Sequence, residues 1–284
     1  MQSNAYKHPR IGGLGRLAEL IANSQTLPPL RRAVMSRLPF LKLESDITNV
    51  VYLTWLVPAS LCEVFVPPGV RLWQRDGLTP FTILTYQHGH FGPSAVRSLR
   101  RLFPSPLQSN WRLYLDKAPE GAPPVRTVLF LKNVMNSVVY SLGTRVFSDA
   151  LLTHLAAEFV HRCQGDLFCT EFTPGSGSSP SLACTVRRSP VQSLSPRFTS
   201  MFGSWPNAIE FLACQDAAVA HVERAKRLAF AEIELPIDLS CVFAAEVSGR
   251  SPECSMLSDL RPVEGPMCFV IPSVRFRALS ERLL

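Results

Sequence analysis

Proline is the residue that most limits what this chain can become. Twenty-four prolines against fifteen glycines are spread along 284 residues, and a proline inside a helix removes a backbone donor and clashes with the preceding turn. Long helices are thereby excluded over most of the length, and helical bundles and coiled coils with them. No internal repeat marks a solenoid. Yet 46% of the residues are hydrophobic and only 18% are charged, the balance of a packed core and not of a disordered tail. What remains is a strand-rich globular protein with one large domain or two modest ones.

The formal net charge is +7. Arginine supplies most of the basic side chains, pairing at Arg31-Arg32, Arg100-Arg101 and Arg187-Arg188. None of these clusters is long enough, or interleaved with enough aromatics, to trace a nucleic-acid backbone. A solvated basic face is the expectation, with no nucleic-acid partner. Eight cysteines occur without any C-x-x-C pair, and Met1 to Arg16 has no apolar run of the signal-peptide kind. Reduced thiols and a cytoplasmic location are expected. The longest charge-free apolar stretch, Ile47 to Cys62, is interrupted by Pro58 and polar residues, so no membrane-crossing helix is expected.

Two regions differ in texture. In residues 1–45, Leu14, Leu17 and Ile21 sit at helical spacing, as do Leu30, Val34 and Leu38, with Pro28-Pro29 between the sets. Two short amphipathic helices follow from this, as a lid on the main domain or, less directly, as basic faces that touch an anionic surface. Residues 46–284 read as strands and turns. Extended runs are expected at Asn49–Val57, Val70–Trp73, Phe81–Tyr86, Asn110–Leu115, Arg126–Val134, Phe168–Phe172, Leu182–Val186, Ala229–Ile233, Leu239–Ala245 and Cys268–Phe276. A helix is expected at Ser148–His161, where Leu151, Leu152, Leu155, Ala156 and Phe159 share a face, and a short one near Ser204 with Pro206 in its first turn. The fold class is α+β: an antiparallel barrel or curved sheet with a few packed helices, preceded by the two short N-terminal ones. The Gly-Ser loop at 175–179 is either a lid or a tether.

Three segments carry candidate chemistry. In an extended Asn110–Tyr114, the side chains of Asn110, Arg112 and Tyr114 share one face, an amide, a guanidinium and a phenol in a row. That set suits a pocket for a carboxylate or carbonyl, and equally a solvent-facing strand. His88 and His90 share a face if their strand continues; without a third ligand motif they read as pocket histidines and not as a metal site. Lys132 lies in an apolar run, where burial would depress its pKa and allow a Schiff base, or where it ends a strand and reaches to water. No nucleophile elbow, Walker loop or dinucleotide fingerprint is present, and no cofactor is expected.

The order of Trp55-Leu56-Val57-Pro58, Val66-Pro67-Pro68-Gly69-Val70, Asn110-x-Arg112-x-Tyr114, the strand Val128 to Leu131, and Gly143-Thr144-Arg145 before a helix resembles the acetoacetate-decarboxylase-like superfamily. Within it, the pattern looks like the uncharacterised YqjF-like branch, over residues 46–284. The resemblance implies a cone-shaped antiparallel barrel around a small-molecule cavity, with Arg112 and Arg145 holding an anionic organic ligand. In true acetoacetate decarboxylases a lysine shortly after the Gly-Arg motif forms the Schiff base. Here Val146 to His154 contains no lysine, so imine decarboxylation is not expected unless Lys132 enters the same cavity. Two functions stay open. One is a protein that binds or modifies a small carboxylic or oxo compound, with Asn110, Arg112, Tyr114, Arg145 and His88 as binding groups and Lys132 or His90 as proton carrier. The other is a non-enzymatic interaction protein that docks through its N-terminal helices. A barrel filled with side chains favours the second, and a cavity of roughly 300 Å³ or more lined by Arg112 and Tyr114 favours the first.

Overall fold

A computed structural model describes residues 4–284. Fourteen strands run in chain order: β1 (Leu43–Pro58), β2 (Leu78–Gln87), β3 (Gly92–Pro93), β4 (Leu107–Tyr114), β5 (Thr127–Met135), β6 (Thr153–Leu155), β7 (Glu158–Gln164), β8 (Leu167–Thr173), β9 (Leu182–Arg188), β10 (Ala217–Val222), β11 (Arg227–Glu234), β12 (Phe243–Val247), β13 (Glu253–Cys254) and β14 (Met267–Leu283). The α-helices are α1 (Gly13–Ala22), α2 (Leu27–Met35), α3 (Ala59–Cys62), α4 (Val138–Phe147), α5 (Pro196–Phe202), α6 (Trp205–Ala213) and α7 (Leu257–Leu260).

Seven strands close a barrel in the order β1-β2-β4-β5-β10-β11-β14, and β14 pairs back onto β1 from Leu43↔Ala278 to Thr54↔Met267. Beyond the closure, β14 also pairs β12, which leads through β9 and β8 to β7, a second sheet on the outside of the barrel. The strands that face both ways read as apolar runs because both their faces are buried. In β1, Val50, Tyr52 and Leu56 enter the barrel interior, whereas Val51, Leu53, Trp55 and Val57 pack outward with Phe168, Phe172 and Val186 of the second sheet.

One end of the barrel is plugged by α5 and α6, which send Phe198, Met201, Ile209 and Leu212 into the interior cluster. Each helix starts on a serine: Ser195 accepts from the Phe198 amide and Ser204 from the Asn207 amide, and a proline sits in each first turn. At the other end α1 and α2 pack against α4. Pro28 and Pro29 lie in the first turn of α2 and do not separate the helices. Proline is tolerated there because the amide it lacks has no intrahelical partner.

Four expectations are corrected. No helix spans Ser148–His161; β6 and β7 occupy that stretch, and the helix lies earlier, at α4, with Gly143-Thr144-Arg145 inside it. The apparent helical face belongs to two strands separated by a break at 156–157. The helix α4 escaped notice because its Val139 and Phe147 are exposed, which erases the amphipathic pattern. The segment Val70–Trp73 forms only a bridge, Leu72↔Leu115. The barrel is mixed, since β10 and β6 both pair β5 in parallel; the chain between β5 and β10 is long enough for the crossover that parallel pairing demands. The strand β10 itself, Ala217–Val222, gave too weak a β-branched signal to be expected.

The Gly-Ser loop runs beside the N-terminal segment. The amides of Ser176 and Ser178 donate to the carbonyls of Pro9 and Lys7 at 3.1 and 3.2 Å, and a Cβ on Gly177 would lie 2.9 Å from the Lys7 carbonyl oxygen.

Candidate functional site

The barrel interior is not filled. A cavity of about 540 Å³ opens between α2, α4 and the 91–93 and 103–104 segments and reaches inward to Arg112, within the ~300–1,000 Å³ typical of ligand pockets. Its walls are mainly apolar, with Val50, Leu84, Phe130, Ala218, Ile271 and Val274 among them. The polar groups are Tyr52, Tyr86, His88, Gln108, Asn110 and Arg112 deep in the barrel, and Tyr140, Ser280 and Glu281 with the hydroxyl residues Ser137, Thr144 and Ser148 towards the mouth.

Arg112 is 3% exposed. Its Nη2 donates to the Leu212 carbonyl at 2.6 Å and lies 3.5 Å from the Tyr52 hydroxyl, and its Nε lies 3.4 Å from the Tyr114 hydroxyl. Leu212 sits in the last turn of α6, so the guanidinium rests on the negative end of a helix dipole. Among the described residues, none accepts a hydrogen bond from Nη1 and no carboxylate forms an ion pair with Arg112. A guanidinium remains charged even when buried, and a half-charge from a helix end leaves it under-compensated. Beside it, Asn110 donates from Nδ2 to Asn133 Oδ1, while Asn110 Oδ1 is buried without any partner. The cavity floor therefore offers a cationic donor, with the unpartnered Asn110 Oδ1 enclosed beside it and not open to the cavity.

Tyr114 is placed behind Arg112 and not on the cavity surface. Its hydroxyl lies 3.0 Å from both Thr82 Oγ1 and the Leu212 carbonyl, which makes it a brace for the guanidinium. His88 lines the cavity with both ring nitrogens engaged, Nδ1 with Ser45 Oγ and Nε2 with Gln108 Oε1, each at 2.8 Å. Its ring stacks on Phe91 at 4.3 Å, and burial lowers its pKa to about 4, so it is neutral at physiological pH. His90 does not share its face. The strand ends at Gln87, and at Gly89 the chain passes so close to Asp46 that a Cβ would lie 2.6 Å from the Asp46 carbonyl oxygen. His90 follows with a positive φ of 53° and an exposed side chain.

Lys132 lies outside the lumen. It pairs with Trp111, whose side chain packs outward, one step from the Asn110–Asn133 pair that faces in. Its Nζ donates to Asn4 Oδ1 at 3.1 Å; burial and the neighbouring Arg145 charge lower its pKa to about 8. Arg145 is in the same outer cluster and does not line the cavity. Its Nε donates to the Thr153 carbonyl at 2.6 Å and its Nη2 to the Asn4 carbonyl at 2.9 Å. None of the chain's five lysines lines the cavity, so the lumen holds no amine for an imine.

The sequence reading missed Tyr52, Tyr86, Gln108, Tyr140 and Glu281. Tyr52 and Tyr86 had a usable signal, since each stands two residues from an apolar residue of its strand that faces the same interior. Glu281 had none. Burial raises its carboxyl pKa, and it accepts from the Ser148 hydroxyl and from the Asp149 amide.

Comparison with solved structures places this architecture. An acetoacetate decarboxylase from Legionella pneumophila superposes with a TM-score of 0.55 at 7% identity, over 85% of this chain and 86% of that one. The fold is that of acetoacetate decarboxylase. The enduracididine biosynthesis enzyme MppR complexed with pyruvate matches with a TM-score of 0.54 at 14% identity, over 86% of this chain and 90% of that one. An acetoacetate-decarboxylase-like enzyme from Sphingomonas wittichii matches at 0.52 and 9% identity, over 85% and 92%. No family model and no curated protein matches the chain, so the YqjF-like branch gains no support. On this fold, the chain encloses a cavity that none of its lysines lines.

Proposed function

We propose that this protein binds, or modifies, an apolar monocarboxylate or related oxo acid inside the barrel, with Arg112 as the anion anchor. The observation that carries this reading is the buried Arg112 guanidinium at the floor of an apolar cavity, with no carboxylate of the protein to neutralise it. Burying an uncompensated charge is costly, and a ligand carboxylate removes that cost through charge-assisted hydrogen bonds. Cavity size and lining favour a substantial hydrocarbon or aromatic body over a two- or three-carbon acid. The acetoacetate decarboxylase fold and the pyruvate complex of MppR fit a small organic acid as the ligand class.

The reading excludes an imine step on Lys132, which lies on the outer face. Any chemistry in the lumen falls to acid–base groups that line it, Glu281 towards the mouth and the tyrosine hydroxyls within. Arg112, Asn110 and His88 are the binding groups in this reading, Tyr114 positions Arg112, and Arg145, His90 and Lys132 have no part in the lumen.

The test is thermal melting with monocarboxylates of increasing chain length, in parallel with Arg112→Gln. A ligand at about 100 times its dissociation constant adds roughly 2.7 kcal/mol to stability. The expected result is a rise in Tm that grows with chain length and is lost in the variant. No shift across the series in folded protein overturns the reading, as does a borohydride-trapped keto-acid adduct that depends on Lys132.

A further inference from the structure

The rim of the cavity carries an unusual surface. Large apolar side chains normally turn inward, yet Val139 is 76% exposed and Phe147 66%, and Phe40 and Leu41 are exposed beside them; all four also line the mouth of the same cavity. The helix α1 repeats the pattern. It packs on Tyr6, Leu142 and Leu155 through Ala18 and Ala22, which leaves Leu14 85% and Leu20 72% exposed. Apolar patches of this kind on a soluble surface mark an interaction site.

Charge identifies the partner. Residues 1–43 contain seven Lys or Arg and one Glu, so they carry +6 of the chain's formal +7. Arg31 and Arg32 are occupied, pairing with Asp149 and holding α2 at the mouth. Arg10, Arg16, Arg37 and Lys42 form no ion pair with any described residue, and Arg37 and Lys42 flank Leu38, Phe40 and Leu41 in sequence. In the 94–102 segment, which leads into Phe103 and Pro104 of the mouth, Leu99 and Leu102 are exposed, and the exposed Arg97 and Arg101 are near them in sequence. A second copy of the chain is a poor occupant, because a two-fold contact would set one such basic segment against another. An anionic lipid surface satisfies both halves of the pattern, since its headgroups pair with the cations and its acyl boundary takes the apolar residues.

We propose that the face formed by α1, α2, the 36–42 segment and the exposed side of α4 docks on anionic bilayers, with the cavity mouth towards the lipid. No helix among the described residues is long and apolar enough to cross a membrane, so the association is peripheral and reversible. The inference does not depend on what fills the cavity.

The experiment is flotation of the full chain with phosphatidylcholine vesicles and with vesicles that also contain about one-third phosphatidylglycerol. The expected result is flotation with the anionic vesicles only, and release in 1 M salt, where the screening length falls to ~3 Å. The double variant Arg37→Gln/Lys42→Gln binds about twenty-five-fold more weakly, from about a fivefold loss for each charge. Arg112→Gln floats like the wild type, so failure of the ligand reading leaves this result untouched. Failure of folded, monomeric protein to float with anionic vesicles overturns the proposal. So does equal binding to both vesicle types, or a dimer in solution that Phe147→Ser dissolves.

Discussion

The wall of strands β4 and β5 has a cation on each face, Arg112 buried on the inner one and Lys132 half-buried on the outer one beside the buried Arg145 of α4, and the two faces are used differently. On the inner face Arg112 meets a helix end, two phenols and empty space. On the outer face Lys132 and Arg145, with His154 beside them, meet the side chain and carbonyl of Asn4 and the carbonyl of Thr153. Neither face supplies a carboxylate in direct contact. The outer cations are covered by the N-terminal segment, which gives Lys132 the Asn4 side chain and Arg145 the Asn4 carbonyl, and the inner one faces space into which a ligand fits. Burial of a cation therefore does not mark a site; a buried cation with a free donor beside a cavity does.

This contrast can be broken or sharpened by four measurements. The largest effect is expected from Arg145→Ala. It strips charged donors from the Thr153 and Asn4 carbonyls and is expected to cost about 3 kcal/mol in chemical denaturation. It should leave the ligand-induced Tm shift in place; loss of that shift would make the outer face part of the site. Arg112→Gln should do the reverse. Affinity for the carboxylate is expected to fall by about 1.5–3 kcal/mol, the worth of a hydrogen bond to a charged group, in isothermal titration, with a smaller loss of stability. A variant that binds as the wild type does would reduce Arg112 to a brace for α6.

The third measurement separates the faces by pH. Lys132 titrates at about 8 in the folded chain, below its ordinary 10.5, because of burial and Arg145. Between those values the unfolded chain holds the extra proton, so stability climbs as pH rises from about 8 towards 10.5. Lys132→Met should flatten that climb in urea melts. His88, at about 4 against 6.5, acts in the acid range: stability falls as pH drops from 6.5 to about 4, and His88→Gln should lessen that fall. Equal slopes in variant and wild type would place either group in contact with water. The smallest effect is expected from Ser45→Ala, which removes the hydroxyl partner of His88 Nδ1 and should cost about 1 kcal/mol. A larger loss of ligand affinity than of stability would bring His88 into the ligand's contacts.

Local chemistry made much of the molecule legible. The strands at β1, β2, β4, β5, β8, β9 and β14 were marked by β-branched and aromatic runs between turn residues, and α6 by Ser204 and Pro206. The face shared by Asn110 and Arg112 followed from the two-residue period of a strand. Tyr114 shares that inner face too, but α6 covers the strand end there, so its hydroxyl meets the Leu212 carbonyl and Arg112 and not the cavity. His90 failed for a related reason: a left-handed turn after Gly89, where Asp46 crosses, ends the alternation that would have set it beside His88.

Sequence alone determined the α+β class, the two N-terminal helices and the shared strand face of Asn110 and Arg112, since these depend on periodicity and capping among near neighbours; that this face points inward was decided by the closure of the barrel. Only the tertiary structure decided that the lumen is open, that Lys132 lies outside it and that Glu281 reaches its mouth. A one-residue offset across the β-bulge between Trp111 and Arg112 sets which side of the wall each residue of β5 faces. Nothing local to Lys132 encodes which of its two neighbouring faces encloses empty space. That depends on how seven strands close and on which helices cover the ends.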